Sequence, residues 1–164
     1  MSRRLITGVA LATSLALCAV GGAAGTAGAE GGGPPPEVRF ASFNASLNRN
    51  APGALVAELA APGSAQPDAI AEIIQRTRPE VVLINEFDYD EAGLAAERFQ
   101  DNYLSVPHDD AAPIEYPHVY VAPSNTGIPS GRDLDKNGTI GGPGDAFGFG
   151  FFPGQFAFVV YSMY

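Results

Sequence analysis

A mixed α/β domain is the fold class that the sequence predicts, on three observations. Val81-Val82-Leu83-Ile84 is an unbroken, mainly β-branched run of strand length, as expected where a strand is buried on both faces. Residues 38–43 alternate apolar and polar side chains ahead of it, and helical periodicity fills the interval. The order strand, helices, strand is that of a crossover unit. The 164 residues also include 20 glycines and 14 prolines, a load of turn formers that argues against a helical bundle.

The chain opens on an address. Arg3 and Arg4 precede an uncharged, largely apolar stretch over residues 5–20, and a small-residue run then leads to Ala27-Gly28-Ala29. This is the pattern of a bacterial secretory signal cleaved after Ala29. The apolar stretch is short for a span and rich in glycine at its end, so no stable membrane anchor is expected. Cys18 does not make a lipoprotein site, because bulky Leu17 stands where a small residue is needed. It is the sole cysteine, so a disulfide scaffold is excluded. Residues 30–36 contain Gly31-Gly32-Gly33-Pro34-Pro35-Pro36, a linker with nothing to bury.

The first strand ends at Asn44. Residues 51–61 read as a short helix with Pro52 near its first turn. Residues 67–77 read as a better one, with Asp68 in its first turn and Ile70, Ile73 and Ile74 on one face. Arg76 and Arg78 sit near its end, and Pro79 stops it. After the apolar strand, residues 91–103 are helical, turning Leu94, Ala95 and Phe99 inward. Residues 118–122 form a third strand opened by a half-buried His118, and residues 156–161 a fourth. Residues 123–154 are rich in Gly, Pro, Asn and Asp, and irregular stretches of that length are uncommon unless functional. A strand reaching almost to the last residue suggests a domain cut in mid-sheet, so residues 37–164 are expected to be the first part of a domain. No internal repeat is present.

Nine basic and 18 acidic side chains give a net charge of −9, which becomes −11 once Arg3 and Arg4 leave with the signal. An exported, acidic chain of this kind lacks the broad cationic surface that grips polyanions.

Asn44 follows the first strand and Glu86 the second, where open sheets place ligand-binding groups. On spacing alone Glu86 reads first as a helix-capping or solvated loop acid. The surrounding residues say more. Val38-Arg39-Phe40-Ala41-Ser42-Phe43-Asn44, then Arg78-Pro79-Glu80-Val81-Val82-Leu83-Ile84-Asn85-Glu86, then Gly154-Gln155-Phe156-Ala157-Phe158-Val159-Val160-Tyr161-Ser162 together resemble the endonuclease/exonuclease/phosphatase superfamily. Its signature opens with a strand ending in Phe-Asn and continues as Arg/Lys-Pro-Asp-Val-(apolar)-Gln-Glu. A later strand commonly reads Gly-x-(apolar)-Ser-(Arg/Lys)-Tyr-Pro. Ser124 to Gln155 matches an insertion of secreted bacterial members, Ser-Asn-Thr-Gly … Asp-Leu-Asp-x-Asn-Gly … Gly-Phe-Gly … Pro-Gly-Gln.

The resemblance implies a four-layer αββα sandwich and a secreted, divalent-metal-dependent phosphoric-ester hydrolase of phosphodiesterase, phosphatase or nuclease type. It implies that Asn44 orients the phosphate and the metal-bound water network, and that Glu86 is the carboxylate ligand of Mg2+ or Mn2+. Such hard cations take oxygen ligands and polarise a phosphoryl oxygen during in-line attack by water. A small phosphate ester fits the acidic balance better than a long nucleic acid, and no protein partner is inferred. Two departures stand out. Asn85 replaces the family's Gln, and the later Asp-x-Asn pair and Asp-His ending are missing from the 164 residues. This segment alone is therefore expected to be inactive.

The two histidines do not fill that gap. His108, in an acidic turn, and His118 read as structural or solvated, with His108 beside Asp109 as an opportunistic metal contact. Asp133, Asp135 and Asn137, followed by Gly138, fit the first half of an EF-hand calcium loop. The closing Glu is replaced by Gly144, but Asp145 follows and would close a Ca2+ site; the other reading is an Asx-turn cluster without metal. A non-catalytic, secreted calcium-binding module is accordingly the alternative to the hydrolase. The alternating aromatics from Phe147 to Phe152 read as core packed under a loop, with stacking on a substrate ring as the second choice.

Overall fold

The computed structural model describes residues 37–164; the signal, the linker and Cys18 lie outside the described residues. In chain order the elements are β1 (Phe40–Asn44), α1 (Ala54–Glu58), α2 (Ala65–Thr77), β2 (Val81–Asn85), α3 (Leu94–Phe99), β3 (His118–Val121) and β4 (Phe158–Ser162). The strands form one mixed sheet in the order β1-β2-β4-β3. β1 and β2 run parallel across the crossover, while β4 is antiparallel to both β2 and β3. The mixed α/β class is as expected.

Local chemistry sets the helix ends. Gly53 takes a left-handed φ of 76°, which delays α1 past Pro52 and makes it shorter than its sequence suggests. α2 ends where Arg78 turns left-handed and its N–H reaches Ile74 O, just ahead of Pro79. Its inner positions are Ile70, Ala71, Ile74 and Gln75, while Ile73 is exposed. The buried stripe is centred between Ile70 and Gln75, and Ile73 falls outside it on the helical wheel. α3 starts later than expected because the Asp90 carboxylate accepts the N–H groups of Leu94 (2.8 Å) and Ala95 (2.9 Å). Ala95 and Phe99 are buried as expected, but Leu94 is exposed. α3 then continues into a π-helical turn over Gln100–Leu104.

Among the described residues the core lies on one face of the sheet only. Val82, Ile84, Val159 and Tyr161 are buried there against Leu55, Ile74 and Phe99 of the three helices. On the opposite face Phe40, Ser42, His118 and Tyr120 are exposed, and Val81, Leu83 and Val160 are half-buried. Two expectations are thereby corrected. β2 is buried on one face rather than two, because the helices cover a single side, and His118 is exposed rather than half-buried.

The stretch from residue 123 to 154 holds isolated bridges pairing Thr126 with Gly148 and Pro129 with Ala146, and a 3-10 turn at Pro143–Asp145. Phe147, Phe149 and Phe151 of this segment are exposed, which overturns their reading as core. Among the described residues no helix is long and apolar enough to cross a membrane.

Candidate functional site

The parallel pairing of β1 with β2 sets Asn44 opposite Asn85, so the residues just beyond both carboxyl ends converge. The Asn44 side-chain amide donates to Glu86 Oε1 at 2.9 Å across 42 residues of sequence. Its orientation is fixed by its other end, since Asn44 Oδ1 accepts the backbone N–H of Ser46 at 3.1 Å. Asn48 donates through Nδ2 to Glu86 Oε2 at 3.2 Å. The carboxylate is thus bracketed by two amides, one per oxygen, and each oxygen keeps a further lone-pair site. Asn85, beside Glu86, donates instead to Ser42 Oγ on β1 at 3.2 Å.

The backbone around this pair is strained. Ser46 (φ 50°), Glu86 (φ 56°) and Phe156 (φ 57°) all lie in the left-handed region that non-glycine residues avoid. They sit just after β1, just after β2 and just before β4. Strain of this kind persists only where surrounding structure over-determines it, and it concentrates at functional sites.

Two buried polar side chains supply that structure. Asp88, 5% exposed, accepts the N–H of Arg49 at 2.6 Å and of Phe156 at 3.2 Å. Burial raises its pKa above the usual carboxylate value, against the lowering effect of those two N–H groups. Gln155, 2% exposed, donates to Arg49 O at 2.7 Å and accepts from Phe151 N–H at 2.8 Å. Arg49 also grips Glu58 of α1 through Nε and Nη2, and that hydrogen-bonded pair holds the Glu58 pKa below its ordinary value. The turn after β1, the turn after β2 and the segment entering β4 are therefore clamped to one another.

Of the residues singled out from sequence, Asn44 and Glu86 come together. Asn48, Asp88 and Gln155 were not anticipated. Gln155 lay inside a quoted motif, but nothing in its spacing marked it as a buried tie, and Asn48 carried no signal beyond following Asn44 by one turn of loop. His118 stands at the far end of the sheet, level with Ser162 and Val81. His108 contacts Tyr103 O through Nε2 at 2.9 Å, and its Nδ1 lies 3.9 Å from Asp68 Oδ1, a structural setting.

The acidic loop forms a separate group. Carboxylate oxygens of Asp133, Asp135 and Asp145 lie within 4.8 Å of one another. Asp133 accepts from Asn137 N–H and Gly138 N–H, and Asp135 from Asn137 N–H and Nδ2. Buried Asp145 accepts three backbone N–H groups, from Gly141, Leu134 and Asp135. The Gly141 N–H leads in holding its pKa below the usual carboxylate range. Asn137 Oδ1 is turned to Thr139 N–H at 2.8 Å, in the manner of an Asx turn.

No protein-family profile matches the chain, and no curated protein or solved structure is similar to it at a significant level.

Proposed function

We propose that this chain belongs to a secreted, divalent-metal-dependent phosphoric-ester hydrolase built as an αββα sandwich, with Asn44 and Glu86 in its active site. The observation that carries the proposal is the pairing itself: an amide and a carboxylate from adjacent parallel strands, hydrogen-bonded at 2.9 Å on strained, clamped turns. The sheet face that the described residues leave uncovered, with Phe40 and Tyr120 exposed, is in keeping with a sandwich in which a second sheet packs there.

The donor chemistry fits Mg2+ or Mn2+. Magnesium retains several waters and takes one or two carboxylates plus substrate phosphate, so one bracketed carboxylate is a sufficient protein anchor. Glu86 would hold the ion, which when bound supplies Lewis-acid polarisation of the phosphoryl oxygen. Asn44 keeps the Glu86 carboxylate aimed, because its own amide cannot turn without giving up the Ser46 N–H. Asn48 limits rotation from the other side. Asp88 and Gln155 keep the three turns in register beneath them. The preferred substrate is a small phosphate ester.

The test is Mn2+ binding, followed by electron paramagnetic resonance on the purified chain. The expected result is a site lost in Glu86→Ala and retained in Asp133→Asn. Binding untouched by Glu86→Ala would sink the hydrolase reading.

The second reading, a non-catalytic calcium-binding module, is favoured by one observation, the convergence of the Asp133, Asp135 and Asp145 oxygens. It expects Ca2+ to raise the melting temperature without any turnover, and Asp135→Asn to abolish that rise.

A further inference from the structure

Glycine and phenylalanine alternate from Phe147 to Phe151, and the structure orients them opposite to a core segment. A Cβ on Gly148 would meet Asn125 Oδ1 at 2.9 Å, and one on Gly150 would meet Gly127 N at 2.8 Å. The glycine side is therefore pressed against residues 125–127. Backbone bonds hold it there, from Gly127 N to Gly148 O and from Gly148 N to Asn125 O. The rings face outward, with Phe149 58% and Phe151 68% exposed. Exposing large apolar rings on a tightly bonded backbone is unfavourable unless something covers them in use.

Three rings meet on this surface. The Phe149 and Phe151 centroids are 5.7 Å apart in an edge-on arrangement, and the Phe149 and Phe156 centroids are 6.1 Å apart. The group is tied to the candidate site through consecutive hydrogen bonds. Phe151 N–H donates to Gln155, Gln155 donates to Arg49 O, and neighbouring Asn48 donates to Glu86. Phe156 N–H donates to Asp88, two residues after Glu86. Phe151 also lines a separate open groove of about 150 Å³ with Pro129, Ile140 and Asp145.

We propose that Phe149, Phe151 and Phe156 form a ring-binding platform that takes the planar, apolar group of the ester whose phosphate lies at Asn44 and Glu86. This proposal rests on the phosphoric-ester reading and names its substrate class: an aryl or similarly flat phosphate ester. Ring centroids only 5.7 and 6.1 Å apart present a patch the size of one planar group, far smaller than a protein interface. Against a lipid surface stands the loop's charge, since Arg132 and Lys136 are outnumbered by Asp133, Asp135 and Asp145.

Saturation-transfer NMR on the purified chain with Mg2+ tests it without needing turnover, using phenyl phosphate and methyl phosphate as probes. Phenyl phosphate is expected to bind about tenfold more tightly, the scale of one stacked ring. The double variant Phe149→Ala with Phe151→Ala removes that ratio, whereas Phe147→Ala, outside the ring group, leaves it unchanged. Equal binding of the two esters overturns the platform, as does a ratio that survives the double variant. Attachment to phosphatidylcholine vesicles with no phenyl phosphate signal overturns it in favour of a membrane surface. Glu86→Ala separates the two readings. If it weakens both esters while the double variant changes nothing, the hydrolase reading stands and the platform falls. If the double variant removes the ratio while Glu86→Ala weakens neither ester, the rings bind an aryl group but the phosphate does not lie at Glu86, which overturns both the placement of the ester and the hydrolase reading.

Discussion

Glu86 holds its carboxylate at a backbone position, φ 56°, that glycine or asparagine ordinarily occupies. That placement has a measurable consequence. Glu86→Gly is expected to be more stable than Glu86→Ala by about 1 kcal/mol in urea unfolding, because alanine retains the Cβ that crowds a left-handed backbone. Both variants lose the amide contacts, so the difference isolates the strain. Asp88 behaves in the opposite way, as a buried side chain that relieves its neighbours. Asp88→Asn leaves one of the Arg49 and Phe156 N–H groups facing an amide NH2 rather than an oxygen. A loss of roughly 1–3 kcal/mol is expected, read as a lower urea midpoint with unchanged slope. Asn44 and Glu86 were singled out by the motifs around them, since their position after a strand by itself left Glu86 readable as a solvated acid. Asp88 was not, since an acid two residues after another reads as solvated until a fold brings Arg49 and Phe156 to it.

At the scale of elements, α2 and β2 were legible almost to the residue, because cap, charge and proline signals are local. α1 and α3 came out shorter, α1 delayed by left-handed Gly53 and α3 by the Asp90 carboxylate that caps it just after left-handed Gly93, features that periodicity does not register. The long loop was recognised as unusual, but its inner and outer faces were reversed. A period-two pattern gives alternation without saying which side is inside, and here the bare glycines take the packed side. Gly127 shows how tight that side is, since a Cβ there would lie 1.8 Å from Phe152 O. Gly127→Ala is expected to release the loop, seen as faster amide exchange at Gly148 while β2 amides keep their protection. Asp145 makes the same loop pH-sensitive. Its pKa is held low in the folded chain, so its contribution is fully present above the unfolded value near 3.9 and is lost as pH falls through the folded value. Amide exchange at Leu134 and Gly141 is expected to accelerate only in that acidic window, and Asp145→Asn to exchange fast throughout.

At the scale of the molecule, the described residues cover the sheet on one side, and the other presents Phe40, Tyr120 and half-buried Val81, Leu83 and Val160. An apolar face of this kind promotes association. Phe40→Ser, at a position 74% exposed, is expected to lower hydrophobic-dye binding and self-association while shifting unfolding by less than about 0.5 kcal/mol. The sequence by itself determined the mixed α/β class, the crossover and the placement of Asn44 and Glu86 at neighbouring strand ends. All of these follow from local periodicity, capping and chain order. Only the tertiary structure decided which sheet face is covered, which way the phenylalanines point, and that Asn48, Asp88 and Gln155 lock three distant turns around one carboxylate. Those features depend on contacts such as Gln155 to Arg49, 106 residues apart, where no local pattern reaches.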